Sequence, residues 1–484
     1  MSNTDLHRLF EPRNIAVIGA SSTLGKWGAI IFFNILNGGF PGAIYPVNPG
    51  RKTVMGLDCY ASVADIPEPV DLAMITTPAP TVLPLIDACG VKGIPFVIVV
   101  TSNFSETGPE GTRLEREVVA RARSYGMRIV GPNTMGIFSS RRDLHALMPP
   151  VMPLRGPVSM FSQSGNLGTQ MLAWGSSVGV GFEKFISSGN EGDLTCVDYL
   201  RYYGDDPATK VILAYLEGVD PHSDFLSVAR EVSRKKPLVA LKGGRTRVGG
   251  RAAASHSGAM AGSTDIYRGA FRQSGVIQVS TTQGLIDCAK AFSHCPLPRG
   301  NRVAIVTRGG GWGVITADAC EENGLEVPPL PEDLVRKIDK VLPPYWSRSN
   351  PVDMVAALGP EPIEACLKII AQWDGVDAII AAGAAGGMAM QVPERSRLPE
   401  DYKKNLSQLF NPRQTHFRKL DETLELIKDL VKQKGKPIIN LAFRRPDSDG
   451  EAPHDPAIVT FPTPERAVRV LRRMAEYQAY LTGA

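Results

Sequence analysis

The sequence predicts an α/β protein built as three consecutive doubly wound units. Three observations predict it. Short apolar strands alternate with helical stretches along nearly the whole chain, several strands run straight into turns rich in glycine and hydroxyls, and the carboxyl ends of the strands carry polar or turn residues. At 484 residues and 43% hydrophobic content, the chain has length and apolar mass for about three domains of ordinary size.

The first unit is expected over residues 1–145. Asn14–Ile18 is a short apolar strand leading into Gly19-Ala20-Ser21-Ser22, with Gly25 and Gly28 following before the helical Ala29–Leu36. Such a strand, turn and helix aims helix N-terminal amides at a phosphate group. A second strand, Ala43–Val47, ends in Asn48-Pro49, and a third, Asp71–Ile75, ends in Thr76-Thr77-Pro78. Pro95–Val100 is a fourth, and Arg128–Val130 runs into the tight turn Gly131-Pro132-Asn133. A nicotinamide dinucleotide is the obvious ligand for this arrangement, and two features disfavour it. The glycines lack GxGxxG spacing, and the second strand ends in Asn48 where an acid for the ribose hydroxyls is expected. A different phosphorylated adenosine ligand fits better, with Arg51 and Lys52 placed to meet an extra phosphate. The charged Ser139–Asp143 and the proline-rich Pro149–Pro157 mark the boundary to the next unit.

The second unit, 155–296, opens with the strand Val158–Phe161, the turn Ser162-Gln163-Ser164-Gly165-Asn166-Leu167-Gly168 and the amphipathic Thr169–Ser177. Two hydroxyls and two glycines sit where a helix begins, which makes this the stronger phosphate site of the two. Strands and helices then alternate through Lys184–Ser188, Leu194–Tyr203, Val211–Leu216, Phe225–Ser233 and Pro237–Lys242. After the last strand comes Gly243-Gly244-Arg245-Thr246, and then RAAASHSGAMAG, Arg251 to Gly262. His256 stands there among residues small enough to admit a phosphoryl group, with Ser257 and Gly258 able to supply a hydroxyl and backbone donors. Glu217 ends the strand Val211–Leu216 on the same edge. A carboxylate on one imidazole nitrogen fixes the tautomer and leaves the other nitrogen nucleophilic. A passive loop histidine and an ordinary surface acid are the alternatives.

The third unit, 301–484, starts as the second does. Val158 to Gly168 (VSMFSQSGNLG) and Val303 to Gly313 (VAIVTRGGGWG) align without a gap, placing Ser162 on Thr307, Gly165 on Gly310 and Gly168 on Gly313. The match is either a true repeat or the common likeness of strand-turn-helix units. If true, one histidine is served by two phosphate-facing helix ends, involving Thr307, Arg308, Gly309 and Gly310 in the third unit. Each end supplies about half a positive charge against about two negative charges on a phosphohistidine, so Arg308 is a candidate for further compensation.

Composition narrows the partners. A net charge of +4 with no block of Lys or Arg points away from nucleic acid. The N-terminus has no apolar signal core and no run of about 18 apolar residues occurs, so a cytoplasmic protein without a membrane partner is expected. Cys59, Cys89, Cys196, Cys288, Cys295, Cys320 and Cys366 form an odd, scattered set without a CxxC pair, read as reduced thiols; no metal site is expected.

Taken together, AVIGASSTLGKWG, IYPVNP, GPNTMGI, SQSGNLG, LEG around Glu217, RKKPLVALKGGRT, SHSGAMAG and NPVD at Asn350 to Asp353 make the chain resemble the α subunit of the ADP-forming acetyl-CoA synthetases. These are acyl-CoA synthetases related to succinyl-CoA synthetase. The resemblance covers nearly the whole chain. It implies an N-terminal Rossmann-like CoA-binding domain followed by two flavodoxin-like domains, with coenzyme A held by Gly19, Ala20, Ser21, Ser22, Gly25, Asn48, Lys52, Thr76, Pro78 and Asn133. It implies His256 as phosphocarrier, Glu217 as its orienting carboxylate, and phosphate at Ser162, Gln163, Ser164, Gly165, Ser257, Gly258 and the Thr307–Gly310 turn. The implied reaction interconverts acyl-CoA, phosphate and ADP with carboxylic acid, CoA and ATP. The chain has neither a GxxxxGK[ST] motif nor an evident ATP-grasp domain, so a separate ATP-grasp β subunit carrying ADP or ATP with Mg2+ is expected, in an αβ or α2β2 heteromer. Three features depart from the family pattern: Ser257 where threonine is usual, the Arg308-bearing third turn, and a polar insertion at Ala389–Arg418. A CoA-binding regulatory module without turnover and an NAD-dependent oxidoreductase remain as alternative functions.

Overall fold

The structure is a computed structural model that describes residues 6–251, 264–355, 361–383, 397–403, 416–442 and 458–483. His256, Ser257 and Gly258 lie outside the described residues, as does most of the 389–418 segment. The chain forms two compact units, Met1–Ala289 and Lys290–Ala484. The first holds two large sheets and the second holds one.

The first sheet comprises β1 (Asn14–Ile18), β2 (Ala43–Val47), β5 (Leu72–Ile75), β6 (Phe96–Val99) and β7 (Arg128–Val130), while the short β3 (Thr53–Val54) and β4 (Leu57–Asp58) pair separately. All five strands are parallel, in the order β2-β1-β5-β6-β7. Alternate residues of each strand enter opposite cores. Ile15, Val17, Leu72 and Met74 join one apolar cluster, and Ala16, Ile18, Ala73 and Ile75 join the other. A sheet buried on both faces reads in sequence as a continuous apolar run, as these strands do.

The second sheet contains β10 (Arg155–Ser162), β11 (Phe182–Ser187), β12 (Val211–Leu216), β13 (Leu238–Lys242) and β14 (Ile277–Val279) as parallel strands in the order β14-β13-β12-β10-β11. Beyond β11 the sheet is extended by β8 (Gly136–Ser139) and β9 (Leu144–Leu147), an antiparallel hairpin. The hairpin precedes the proline-rich stretch, so sheet membership changes at Gly136. The charged Ser139–Asp143 is the turn of the hairpin and not a linker. Apolar packing follows the same crossing: Phe10 stacks on Tyr202 at 5.1 Å, and one core cluster runs from Ile35 and Leu144 to Tyr199 and Leu216.

In the second unit, β15 (Val303–Thr307), β16 (Val352–Asp353), β17 (Ala378–Ala382), β18 (Ile438–Leu441) and β19 (Thr460–Phe461) form a parallel sheet ordered β16-β15-β17-β18-β19. Counting the parallel strands of each sheet in chain order, all three sheets have the arrangement 2-1-3-4-5. In such a sheet the connections leave the first and third strands in opposite directions. The crevice at their carboxyl ends is where ligands bind. Three such crevices follow: Ile18 with Ile75, Ser162 with Leu216, and Thr307 with Ala382.

Asp193 links the two sheets of the first unit. Its side chain is buried and receives Arg123 Nε, Arg128 Nε and the Ile129 backbone N–H, each at 2.8 Å. Asp193→Ala leaves a buried N–H and a poorly hydrated Arg128 without their acceptor. The expected loss is about 3 kcal/mol, at the low end for a broken buried pair because exposed Arg123 rehydrates. Urea denaturation followed by fluorescence measures it, and a loss below about 1 kcal/mol means the linkage is not structural.

Candidate functional site

At the first crevice the chain leaves β1 through Gly19, whose φ of +90° favours glycine. A Cβ there would lie 2.6 Å from Thr76 Oγ1, and one on Gly28 would overlap the Gly19 carbonyl. Backbone therefore meets backbone, and the helix Trp27–Gly38 begins with no side-chain cap. Most of the residues expected to bind CoA are tied together here. Thr76 Oγ1 donates to the Ile18 carbonyl at 2.9 Å, and Asn48 Nδ2 donates to the Ala20 carbonyl at 2.9 Å. Ser21 Oγ accepts the Thr23 N–H at 3.0 Å, and Ser22 Oγ accepts the Met55 N–H at 3.2 Å. Arg51 reaches Thr23 Oγ1 at 3.4 Å, Lys52 and Gly25 are exposed, and Pro78 starts the short turn that follows β5. Asn133 sits apart from this group. It has a φ of 60°, its N–H donates to the Thr101 carbonyl at 2.9 Å, and its amide donates to Asn190 at 3.2 Å. The carboxamide of Asn48 is spent on the loop, where a dinucleotide enzyme would present an acid. At Gly19 and Gly28 the cradle has no room for a Cβ, the close backbone approach by which a helix start can meet a phosphate.

At the second crevice Glu217 is buried, and every neighbouring element holds it. Gln163 Oε1 accepts the N–H groups of Glu217 at 2.6 Å and Gly218 at 3.1 Å, while Gln163 Nε2 donates to the Gly218 carbonyl at 2.8 Å. Burial, together with the nearby Glu217, pushes the Tyr215 phenol up to about 12. Lys242 Nζ donates to the carbonyls of Glu217 at 2.7 Å and Gly243 at 2.5 Å, and lies 4.8 Å from the Tyr267 ring. Burial lowers the Lys242 pKa, with Glu217 acting in the opposite sense.

Beside this carboxylate begins the helix Gly165–Ser177, with Ser164 as an N-cap that makes no side-chain capping bond. Ser162 Oγ donates to the Ser164 carbonyl at 2.6 Å. The chain leading toward His256 leaves β13 next to Glu217, since Leu216 and Lys242 are register partners. His256, Ser257 and Gly258 themselves lie outside the described residues.

The third crevice repeats the second in detail. Thr307 Oγ1 donates to the Gly309 carbonyl at 3.0 Å, the counterpart of the Ser162 bond, and the helix Gly310–Glu322 again starts at the aligned glycine. The Arg308 N–H donates to the Ala382 carbonyl at 3.2 Å, as the Gln163 N–H does to that of Tyr215. Burial lowers the Arg308 pKa, with Glu361 opposing. Asn350 of the NPVD motif is a strand clamp, donating to the Val303 and Pro328 carbonyls and accepting the Ile305 N–H, all at 3.0 Å. Sequence reasoning missed Tyr215 and Lys242. Both sit at strand ends of the edge it had chosen, and that position was the one available signal.

Comparison with known proteins now decides the family. The CoA binding domain family matches residues 13–140, the succinyl-CoA ligase like flavodoxin domain family residues 155–292, and the ligase-CoA domain family residues 303–383. The chain is 43% identical over 376 residues to the acetate–CoA ligase [ADP-forming] II subunit alpha of Pyrococcus furiosus, covering 78% of this chain and 82% of that one. The chain belongs to the α-subunit family of the ADP-forming acetate–CoA ligases. Members of this ligase family also occur in longer form. Acetate–CoA ligase [ADP-forming] I of Archaeoglobus fulgidus is 40% identical over 78% of this chain but only 54% of its own length, so the chain spans about half of that relative. Among solved structures, the dinucleotide forming acetyl-coenzyme A synthetase 1 of Ca. Korarchaeum cryptofilum in complex with phosphate and ADP matches with a TM-score of 0.85 and 36% identity. That match covers 100% of this chain and 99% of the other. As an ADP-forming acyl-CoA synthetase α subunit the ligase chain is an enzyme component, and the regulatory-module and oxidoreductase readings are not favoured. All seven cysteines are free, and no helix among the described residues is long and apolar enough to cross a membrane.

The Gly19 cradle generates a binding prediction. Gly19→Val forces a β-branched side chain into a left-handed conformation and against Thr76, so CoA affinity should fall by about 10-fold or more while the second crevice is untouched. Calorimetry on the wild-type chain should give CoA binding and little NAD binding. Tight NAD binding without CoA binding overturns the assignment of the cradle.

Proposed function

We propose that this α subunit carries the phosphoryl relay of the ligase through His256, oriented by Glu217. The observation that carries the proposal is the placement of Glu217: a buried carboxylate at the switch point of the second sheet, beside an uncapped helix N-terminus and next to the strand from which the His256 segment departs. Phosphate attacks the thioester carbonyl of acyl-CoA, the C–S bond breaks, and CoA leaves as the thiol, giving an acyl phosphate. The free imidazole nitrogen of His256 then attacks phosphorus and the carboxylate departs. The second transfer moves the phosphoryl group from nitrogen to the terminal phosphate of ADP, and the reverse direction consumes ATP. Glu217 accepts the other imidazole N–H and stabilises the positive character that grows on the ring.

Coenzyme A is assigned to Gly19, Ala20, Ser21, Ser22, Gly25, Asn48, Lys52, Thr76, Pro78 and Asn133 in a domain over residues 1–145. Ser162, Ser164, Gly165, Ser257 and Gly258 hold the phosphate in a domain over 155–296. Gln163 contributes by fixing the Glu217 peptide, since its amide is spent there. The turn Thr307 to Gly310, in a domain over 301–484, forms a second phosphate-facing helix end, with Arg308 supplying charge that the helix dipole lacks. The α-subunit naming of the Pyrococcus relative supports a partner chain. The longer Archaeoglobus relative, of which this chain spans about half, supports a separate module with the remaining functions. We assign to it an ATP-grasp fold that binds ADP or ATP with Mg2+, in an αβ or α2β2 assembly in the cytoplasm.

The decisive measurement is acyl-CoA-dependent labelling of the protein with radioactive phosphate. His256→Ala should abolish labelling and turnover. Glu217→Gln should reduce turnover about 100-fold or more, the double variant should be no slower than His256→Ala, and CoA binding should survive all three. Near-normal labelling of His256→Ala moves the phosphocarrier elsewhere. In a second experiment, the α chain alone should form no ATP from acyl-CoA, ADP and phosphate, and should gain that activity with its partner subunit. Full ATP synthesis by the α chain alone overturns the divided enzyme.

A further inference from the structure

We propose that Asn190 is a positioning residue for coenzyme A, fixing the carboxamide of Asn133 so that its oxygen is offered to an amide N–H of the pantetheine arm. The inference rests on the assignment of coenzyme A to the first sheet and adds a residue that the sequence motifs did not single out.

Asn133 belongs to a row of strand ends on the carboxyl edge of the first sheet, joined by contacts that begin at the Gly19 cradle. A Cβ on Gly19 would lie 2.8 Å from Thr77 Cγ2. The Thr77 carbonyl accepts Thr101 Oγ1 at 2.6 Å, and the Thr101 carbonyl accepts the Asn133 N–H at 2.9 Å. The row continues to the second crevice. Thr134 Oγ1 donates to the Ser187 carbonyl, and the Met135 N–H donates to Ser187 Oγ at 3.0 Å. A Cβ on Gly165, where the helix Gly165–Ser177 starts, would overlap Met135. An acyl-CoA that puts its pyrophosphate at Gly19 and its thioester beside Gly165 runs its pantetheine arm along this row. That arm carries two amide N–H groups, and a carboxamide oxygen is an acceptor suited to one of them.

Asn190 lies in the loop that follows β11 and meets Asn133 through backbone and side chain. Gly189, with a φ of +62°, has no room for a Cβ, which would overlap the Pro132 carbonyl, so the loop rests directly on the Gly131–Asn133 turn. The Asn190 N–H donates to the Pro132 carbonyl and the Gly192 N–H to the Gly131 carbonyl, each at 3.0 Å. Across this pairing Asn133 Nδ2 donates to Asn190 Oδ1 at 3.2 Å. What orients Asn190 is the other end of its amide. Nδ2 donates to Glu106 Oε2 at 2.6 Å, Glu115 Oε2 at 2.9 Å and Ser105 Oγ at 3.1 Å, with Glu115 buried on the helix Pro109–Ser124. Both acids are anchored in turn, Glu106 accepting the Asn103 N–H at 2.6 Å and Glu115 the Ser105 N–H at 3.3 Å. A flipped Asn190 would set its carbonyl oxygen against two carboxylates, so Oδ1 stays toward Asn133. Asn133 must then meet it with NH2, which turns its own Oδ1 away from Asn190. With a φ of 60° and its N–H bound to Thr101, the backbone of Asn133 is fixed as well, and the oxygen at the far end of its carboxamide is the acceptor that the ligand meets.

The test compares coenzyme A with adenosine 3′-phosphate 5′-diphosphate, its fragment without the pantetheine arm, by calorimetry on the full α chain, with circular dichroism as the check on folding. The wild type should bind CoA more tightly than the fragment. Asn190→Leu should weaken CoA about 5-fold, the scale of one hydrogen bond, while affinity for the fragment stays within about twofold, a selectivity that a merely structural role does not produce. Asn133→Leu should show the same selective loss, and the double variant should bind CoA no more weakly than Asn133→Leu alone. An Asn190→Leu chain that binds CoA within about twofold of the wild type overturns the proposal, as does a loss shared equally by CoA and the fragment, or losses that multiply in the double variant. A wild type that binds the two ligands equally also overturns it. Where Asn190→Leu does not fold, Asn133→Leu decides, and unchanged CoA binding or an equal loss of both ligands in that variant overturns the proposal. The wild type separates the two levels. No CoA binding there removes the assignment of coenzyme A to the first sheet, while tight CoA binding by the wild type and by Asn190→Leu alike removes only the role of Asn190.

Discussion

Everything chemical in this chain depends on how closely a helix can start behind the first strand of each sheet. In all three sheets the helix crosses the strand end at a glycine with little or no room for a Cβ. Gly28 presses on the Gly19 carbonyl. Gly168 would place a Cβ 2.8 Å from that of Ser162, and Gly313 would place one 3.1 Å from Thr307 Cγ2. The close crossing sets the first-turn amides at the crevice between strands one and three, where each helix end offers partial positive charge to an anion. The repeated sequence Val158 to Gly168 and Val303 to Gly313 is thus a repeated steric solution, down to the hydroxyl that bonds the carbonyl two residues on.

Given three equivalent crevices, what separates them is the residue that ends the third strand. In the first sheet it is Thr76, whose hydroxyl is consumed by the Ile18 carbonyl, leaving a neutral cradle suited to holding a ligand without reacting. In the second it is Glu217, a buried acid whose backbone is gripped by Gln163 and Lys242. In the third sheet it is Gly383, with a φ of +73°, and a Cβ there would sit 3.7 Å from Arg308 Cβ. The neighbouring Arg308, whose N–H bonds the Ala382 carbonyl, brings a cationic side chain to this strand end. One scaffold thereby carries a threonine, a glutamate and a glycine at one topological position.

The strands and their polar ends were legible because each is a short apolar run closed by glycine or a hydroxyl, a signal contained within about ten residues. The 2-1-3-4-5 order was not, since which strands pair depends on partners as far as 75 positions apart, such as Val306 with Ala381. The hairpin Gly136–Ser139 with Leu144–Leu147 was missed for the same reason: its turn, Ser139–Asp143, reads as a charged stretch marking a boundary, while its edge pairing with β11 leaves no local trace. At the site, His256 and Glu217 stood out by residue type. Tyr215 and Lys242 did not, because an aromatic or a lysine inside an apolar strand reads as packing. Gln163 was noticed for its neighbours, but its use, gripping a peptide 54 residues away, needed coordinates.

A crevice lined by glycine has little of its own to hold it in shape, and the opposite ends of the sheets compensate. At the amino end of the first sheet, Arg13 binds Asp71 through its backbone N–H at 2.8 Å, Nε at 2.9 Å and Nη2 at 3.1 Å. In the third sheet Arg302 binds Asp377 through the same three groups at 3.1, 2.9 and 2.9 Å. Each pair joins strand one to strand three, the two strands that flank the crevice at the other end. Burial works to raise both carboxyls, yet the arginine bonds prevail and hold Asp71 and Asp377 below the usual carboxylate range. The second sheet reaches the same end differently: fully buried Lys184 on β11 donates to Asp206 at 2.8 Å, and Thr209 donates to the same oxygen at 2.7 Å just ahead of β12. Charge is therefore used twice with opposite purposes. At the amino ends it is paired and desolvated, which fixes the spacing of the strands. At the carboxyl end of the second sheet Glu217 is held through its backbone by Gln163 and Lys242, beside the strand from which the segment of the proposed phosphocarrier departs.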